Sequence, residues 1–106
     1  MSVVSIIGAG SWGTSLSVHL SKNGHEVRVW SLFQGEVDML NMEREHLDKL
    51  PGVKVPDSVK FTTNLAECIL DHDIIVLAVP SQTVRVTCRL LAEYVKAGDI
   101  IVICSK

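Results

Sequence analysis

No surplus of positive charge marks this chain: ten lysines and arginines stand against twelve acids, a net charge of −2. That balance excludes a basic footprint for nucleic acid or for an anionic membrane surface. Long apolar runs are missing too. The longest have the length of a buried strand, far short of the roughly 20 residues of a membrane span. A basic leader ahead of an apolar stretch and a cleavage-like site is lacking, so no secretory signal is expected. Cysteine is scarce. Cys68, Cys88 and Cys104 are odd in number and widely spaced, with no Cys-x-x-Cys pair. That pattern excludes a disulfide framework and points to free thiols in a reducing compartment, the cytoplasm. Internal repeats, low-complexity tracts and linkers are absent as well. What is present, at 106 residues with 47% hydrophobic and 21% charged, suits one soluble globular domain.

Strand-like and helix-like segments alternate along the chain. Val3 to Ile7 is β-branched and stops at glycine, as a buried strand does. From Ser11 to Asn23 the residues Trp12, Leu16 and Leu20 recur at helical spacing, and Gly24 is a helix stop. Glu26 to Trp30 is a second strand. Phe33, Val37 and Leu40 predict a second helix that runs on into the charged stretch EREHLDK, read as a solvated face, until Pro51, Gly52 and Pro56 break it. Val59 to Thr62 is a weak third strand, and Asn64 caps a short helix to about Leu70. Asp73 to Val79 is a strong apolar strand ended by Pro80. Val84, Cys88, Leu91 and Val95 mark one face of a further helix, and Asp99 to Cys104 is the last strand. The pattern predicts right-handed βαβ units, an α/β doubly wound parallel sheet of Rossmann-like type, and strand order 3-2-1-4-5. The last strand is as apolar as a central one although it falls at the edge. An exposed edge of that kind is ordinarily covered, so residues 1–106 are expected to be the front part of a longer protein whose next segment covers it.

Gly8-Ala9-Gly10-Ser11-Trp12-Gly13 is a G-x-G-x-x-G run. Glycines alone decide little, but these follow a strand, open a helix and sit in a βαβ unit of about 30 residues, as dinucleotide binding requires. Gly8 allows the tight turn, Gly10 lets the backbone approach a pyrophosphate, and Gly13 lets helix pack on strand. The first helical N–H groups and the helix dipole then face the phosphates, with the Ser11 hydroxyl at the entrance. No Lys-Ser/Thr follows, which excludes a P-loop. A ribose-binding acid is expected about 20 residues on, at the end of the second strand. Trp30-Ser31-Leu32-Phe33 stands there, with neither carboxylate nor arginine directly after the strand. Ser31 is a polar candidate, Leu32 and Phe33 can flank an adenine, and the choice between NAD and NADP stays open.

Taken together, GAGSWGTSL at 8–16, NGHEVRVW at 23–30, LPGVKVP at 50–56, TTNLAE at 62–67, AVPSQ at 78–82 and the terminal SK resemble the N-terminal domain of bacterial NAD(P)-dependent sn-glycerol-3-phosphate dehydrogenases. The match runs in order across essentially the whole chain. The resemblance implies an oxidoreductase that interconverts dihydroxyacetone phosphate and glycerol 3-phosphate by hydride transfer in phospholipid synthesis, with a homodimeric full-length protein. It implies NAD or NADP as cofactor, held by Gly8, Gly10, Ser11, Trp12, Gly13, Ser31, Pro80, Thr83 and Lys106. Ser81 and Gln82 border the same crevice. Lys106 is further implied to touch substrate, where its cation can hold developing oxyanion charge or a phosphate. The family's proton-donating lysine lies in a helical C-terminal domain outside these residues, so no catalytic residue is assigned and residues 1–106 alone are expected to be inactive. The family commonly carries charged residues just after the second strand, and Ser31-Leu32-Phe33 departs from that. Two alternatives remain: the first domain of another phosphate- or acid-specific dehydrogenase, and a stand-alone dinucleotide-sensing module.

Cys68 and His72, four apart, lack the companions of a metal site, and none is assigned. Cys88 and Cys104 read as core residues. His19, His25 and His46 have no paired acid nearby in sequence and read as surface or boundary residues.

Overall fold

Two periodicities build the molecule: alternation along strands feeds both faces of a sheet, and 3.6-residue spacing turns each helix onto one of those faces. The computed structural model describes residues 2–95 and 100–103. Its elements, in order, are β1 (Val3–Ile7), α1 (Ser11–Lys22), β2 (Glu26–Trp30), α2 (Gln34–Glu43), β3 (Lys60–Thr62), α3 (Leu65–Ile69), β4 (Ile74–Leu77), a 3₁₀ turn (Ser81–Thr83), α4 (Val84–Leu91) and β5 (Ile100–Ile103). All five strands are parallel and lie in the order β3-β2-β1-β4-β5, as predicted. Ile7 pairs with Trp30 on one side and with Leu77 on the other, so three strands end level at one edge of the sheet.

The two faces carry separate cores. Val4 and Ile6 of β1, Val27 and Val29 of β2, and Val76 of β4 pack with Val18 of α1 and with Val37 and Leu40 of α2. Ile7, Trp30, Ile75 and Leu77 point the other way and pack with Cys68 and Ile69 of α3 and Leu91 of α4. A fully buried aliphatic side chain contributes about 1.5–3 kcal/mol. Small polar residues fill the closest approaches and keep their hydrogen bonds. The buried Ser5 hydroxyl donates to the Cys68 carbonyl at 2.7 Å, and the buried Ser17 hydroxyl donates to the Thr14 carbonyl at 2.6 Å. Asn64 caps α3 as expected, its side chain accepting from the Glu67 N–H at 3.1 Å.

Two helices differ from the sequence reading. The second helix does not continue through EREHLDK: α2 stops at Glu43, and Arg44 turns left-handed at φ 54°. Tertiary contacts override the helix-forming composition there. The Arg44 guanidinium donates to the carbonyls of Pro56 and, at 2.7 Å, Val59, and it lies 5.2 Å from the centre of the Phe61 ring. Phe33 is not on the buried face of α2 but is its exposed N-cap. On α4 the buried residues are Thr87 and Leu91, while Cys88 is exposed, which corrects its reading as core. The buried Thr87 hydroxyl is satisfied by the Thr83 carbonyl at 2.9 Å, while apolar Val86 and Leu90 stay exposed. The described part of β5 is exposed at Ile100, Ile101 and Val102.

Candidate functional site

At the level edge of β1, β2 and β4 the chain turns through Gly8 into α1. Neighbouring strands hold the turn from both sides: the Gly8 N–H donates to the Trp30 carbonyl, and the Ala78 N–H donates to the Ile7 carbonyl, each at 2.8 Å. Gly8 has φ +122°, and a Cβ there would lie 2.4 Å from the Ala78 oxygen. A Cβ on Gly13 would lie 1.9 Å from the Gly8 oxygen, so α1 sits directly on the turn. Gly10 is different. A Cβ there would meet only the Lys49 side chain, at 3.9 Å, so its bare Cα leaves open space on the ligand side of the turn. The backbone beside Gly10 can therefore be approached closely, which is what a pyrophosphate needs. Among the described residues no side chain caps the amino end of α1 and no acid lies in its first turn, so the positive end of its dipole faces the cleft.

This helix end opens on a cleft of about 500 Å³ along the carboxyl edge of the sheet, where open α/β sheets bind ligands. Gly8, Gly10, Ser11, Trp12, Ser31, Pro80 and Thr83 line it, and Gly13 supports it from behind. Gln82 is not among its walls. Lys106, together with Cys104, lies outside the described residues. Trp12 is 49% exposed, on the wall of the cleft and outside both cores. Leu32 and Phe33, 64% and 67% exposed, form an apolar rim beside Ser31. Facing them, α4 offers Val86, Thr87 and Leu90.

Two charged groups in the cleft escaped the sequence reading: Glu36 and Lys49. Glu36 lies in the first turn of α2, and its side chain is only 15% exposed. Ser31 donates its hydroxyl proton to Glu36 Oε1 at 2.6 Å and accepts the Phe33 N–H at 3.1 Å. Glu36 Oε2 lies 2.8 Å from His46 Nε2. His46 is therefore no surface residue. It is buried at 1% exposure, and its Nδ1 accepts the backbone N–H of Lys49 at 3.2 Å. Since Nδ1 accepts, the ring proton sits on Nε2 and is donated to Glu36. The local signal for this contact was weak, because the ten-residue separation runs through the end of α2 and the left-handed turn at Arg44. The same loop brings Lys49 over Gly10, with Nζ 4.0 Å from the Cβ position there.

Cys68, fully buried beneath β1, has its thiol pushed up to about 12 by desolvation, against the smaller opposing influence of Arg28. It is a packing residue with no share in the cleft. Among the described residues, no group of three His, Cys, Asp or Glu could hold a metal ion.

The family model described as the NAD-dependent glycerol-3-phosphate dehydrogenase N-terminus matches residues 3–106. A glycerol-3-phosphate dehydrogenase [NAD(P)+] of Agathobacter rectalis is 56% identical over 106 residues, 100% of this chain and 32% of that protein. A second protein of that name, from Lactobacillus delbrueckii, is 45% identical over 102 residues, 96% of this chain and 30% of that one. The crystal structure of the Coxiella burnetii glycerol-3-phosphate dehydrogenase superposes with a TM-score of 0.93 at 28% identity, covering 99% of this chain and 32% of that one. The chain thus spans about a third of the length of the curated relatives it matches.

Proposed function

Because the chain belongs to the family of NAD-dependent glycerol-3-phosphate dehydrogenase N-terminal domains, we propose that residues 1–106 are the NAD(P)-binding domain of an enzyme that passes a hydride between a nicotinamide dinucleotide and the pair dihydroxyacetone phosphate and glycerol 3-phosphate. The observation that carries this reading is the uncapped amino end of α1 opening, past a bare Gly10, into the cleft. A pyrophosphate fits there because backbone N–H groups and a helix dipole meet it beside a residue without a side chain. Lys49 adds a cation beside the same point. Ser11 offers a hydroxyl at the helix entrance, and Trp12 and Pro80 border the path along which the rest of the dinucleotide extends. The Thr83 hydroxyl donates its proton to the Pro80 carbonyl at 2.9 Å, so toward a ligand it can act as an acceptor. The dinucleotide, when bound, supplies or takes the hydride. The residues of this chain hold and orient it, and the rim of Leu32, Phe33, Val86 and Leu90 excludes water from its apolar surfaces. Lys106 serves substrate and cofactor in this reading, and the helical substrate domain lies outside residues 1–106. Cytoplasmic location, homodimerisation and a role in phospholipid synthesis belong to the same proposal.

Both tryptophans of the chain, Trp12 and Trp30, line the cleft, so intrinsic fluorescence reports on its occupancy. Titration with NADH or NADPH is expected to quench it saturably, with energy transfer to the reduced nicotinamide. Absence of saturable binding by both dinucleotides overturns the reading.

A further inference from the structure

Resting on that reading, we propose that Glu36 makes the cleft select NAD(H) over NADP(H), with His46 as the residue that positions it. The usual place for a ribose-binding acid, directly after β2, holds Ser31-Leu32-Phe33. The fold supplies a carboxylate from one turn into α2 instead. The 2.6 Å hydrogen bond from Ser31 ties its head back to the end of β2, beside the apolar rim suited to an adenine. The second oxygen is held by His46, and His46 is held in turn by the Lys49 backbone, so the carboxylate cannot swing out to solvent. The ring donates as a neutral imidazole, so the negative charge of Glu36 is not cancelled. Of about four lone-pair directions on a carboxylate, Ser31 and His46 take two. The other two can accept from a ribose diol. A 2′-phosphate has no proton to offer them and brings about −1.5 to −2 of charge against a fixed, largely buried anion.

Lys49, the cation among the described residues of the cleft, does not reverse this. Its ammonium is beside Gly10, at the phosphate end, whereas the Glu36 carboxylate is held by the Ser31 hydroxyl and the His46 ring. Like charges about 5 Å apart at a protein surface repel enough for roughly a 100-fold difference in affinity.

The test uses the full natural chain and measures dissociation constants for NADH and NADPH by fluorescence titration or calorimetry. Wild type is expected to bind NADH about 100-fold more tightly. Glu36→Gln is expected to shrink that ratio below about 10, chiefly by tightening NADPH binding. His46→Leu is expected to shrink it as well, while His46→Gln, whose amide can still donate to Glu36, restores it. A general loss of folding would not produce a tightened NADPH constant or that rescue. Equal wild-type affinities, a preference for NADPH, an unchanged ratio in folded Glu36→Gln, or a Lys49→Ala loss confined to NADPH would each overturn the proposal. Wild-type protein that binds neither dinucleotide refutes the underlying function instead.

Discussion

Gly13 offers a test in which two ordinary expectations have opposite signs. In an exposed helix, replacing glycine by alanine stabilises by up to about 1 kcal/mol, because alanine loses less freedom on folding. Gly35, in α2, has nothing within 4 Å of where a Cβ would be, so Gly35→Ala is expected to follow that rule. Gly13 is equally helical, but its Cβ would sit 1.9 Å from the Gly8 carbonyl oxygen. Ordinary contact begins at 3.4 Å, so α1 and the turn must separate by about 1.5 Å. The struck atom is backbone, and hydrogen bonds to Trp30 and Ala78 hold that turn in place. Overpacking of this kind costs about 3 kcal/mol, at the upper end of the usual range. Subtracting the helix gain leaves Gly13→Ala about 2 kcal/mol less stable. At about 4–8 °C per kcal/mol for a domain of this size, its Tm should fall by about 8–16 °C, while that of Gly35→Ala rises by a few degrees. Thermal unfolding followed by circular dichroism reads both. The reasoning is refuted if Gly13→Ala melts at or above the wild-type temperature. It is also refuted if the two variants shift in the same direction by similar amounts.

Lys49→Ala should weaken dinucleotide binding about five-fold, the scale of an exposed ion pair, and should lower its sensitivity to salt; an unchanged salt dependence speaks against a phosphate contact. Alkylation of the native protein, mapped by peptide mass spectrometry, should modify exposed Cys88 while Cys68, whose thiol is pushed up to about 12 by burial, reacts only after unfolding. Equal labelling rates would contradict that placement. The Glu45 carboxyl is held below its usual value first by the Gly52 N–H and then by Lys54, with desolvation opposing. A depressed folded pKa contributes stability above the unfolded value, about 4.3, and loses it as pH falls through the folded value. The difference in Tm between wild type and Glu45→Gln should therefore be widest above about pH 5 and close on acidification; a constant difference down to pH 3 would exclude this contribution.

The cradle could be read directly from residues 8–13, because its demands are local. One glycine must turn, one must stay bare and one must admit a helix, and each requirement falls within a few positions of a strand end. The sheet order followed for a similar reason, since apolar strands alternating with helices leave few parallel topologies. The loop after α2 was not legible. MEREHLDK consists largely of residues that suit a helix, and nothing local announces that Arg44 will turn left-handed to reach carbonyls 12 and 15 residues on. His46 was misplaced in consequence. Its partner lies on the preceding helix, on the far side of that turn. The buried face of α4 was misread on a smaller scale, because polar Thr87 is buried on a hydrogen bond to the Thr83 carbonyl while apolar Val86 and Leu90 line the cleft.

The hydrogen bonds that hold Gly8 and Ala78 to their neighbouring strands bear on the thermodynamics of recognition. A segment already ordered by its own sheet has little conformational entropy left to lose when a ligand arrives. Association at this edge should then be a single bimolecular step whose rate rises linearly with ligand concentration, without a slow ordering phase. Differences in affinity among dinucleotides should appear in how fast each one leaves.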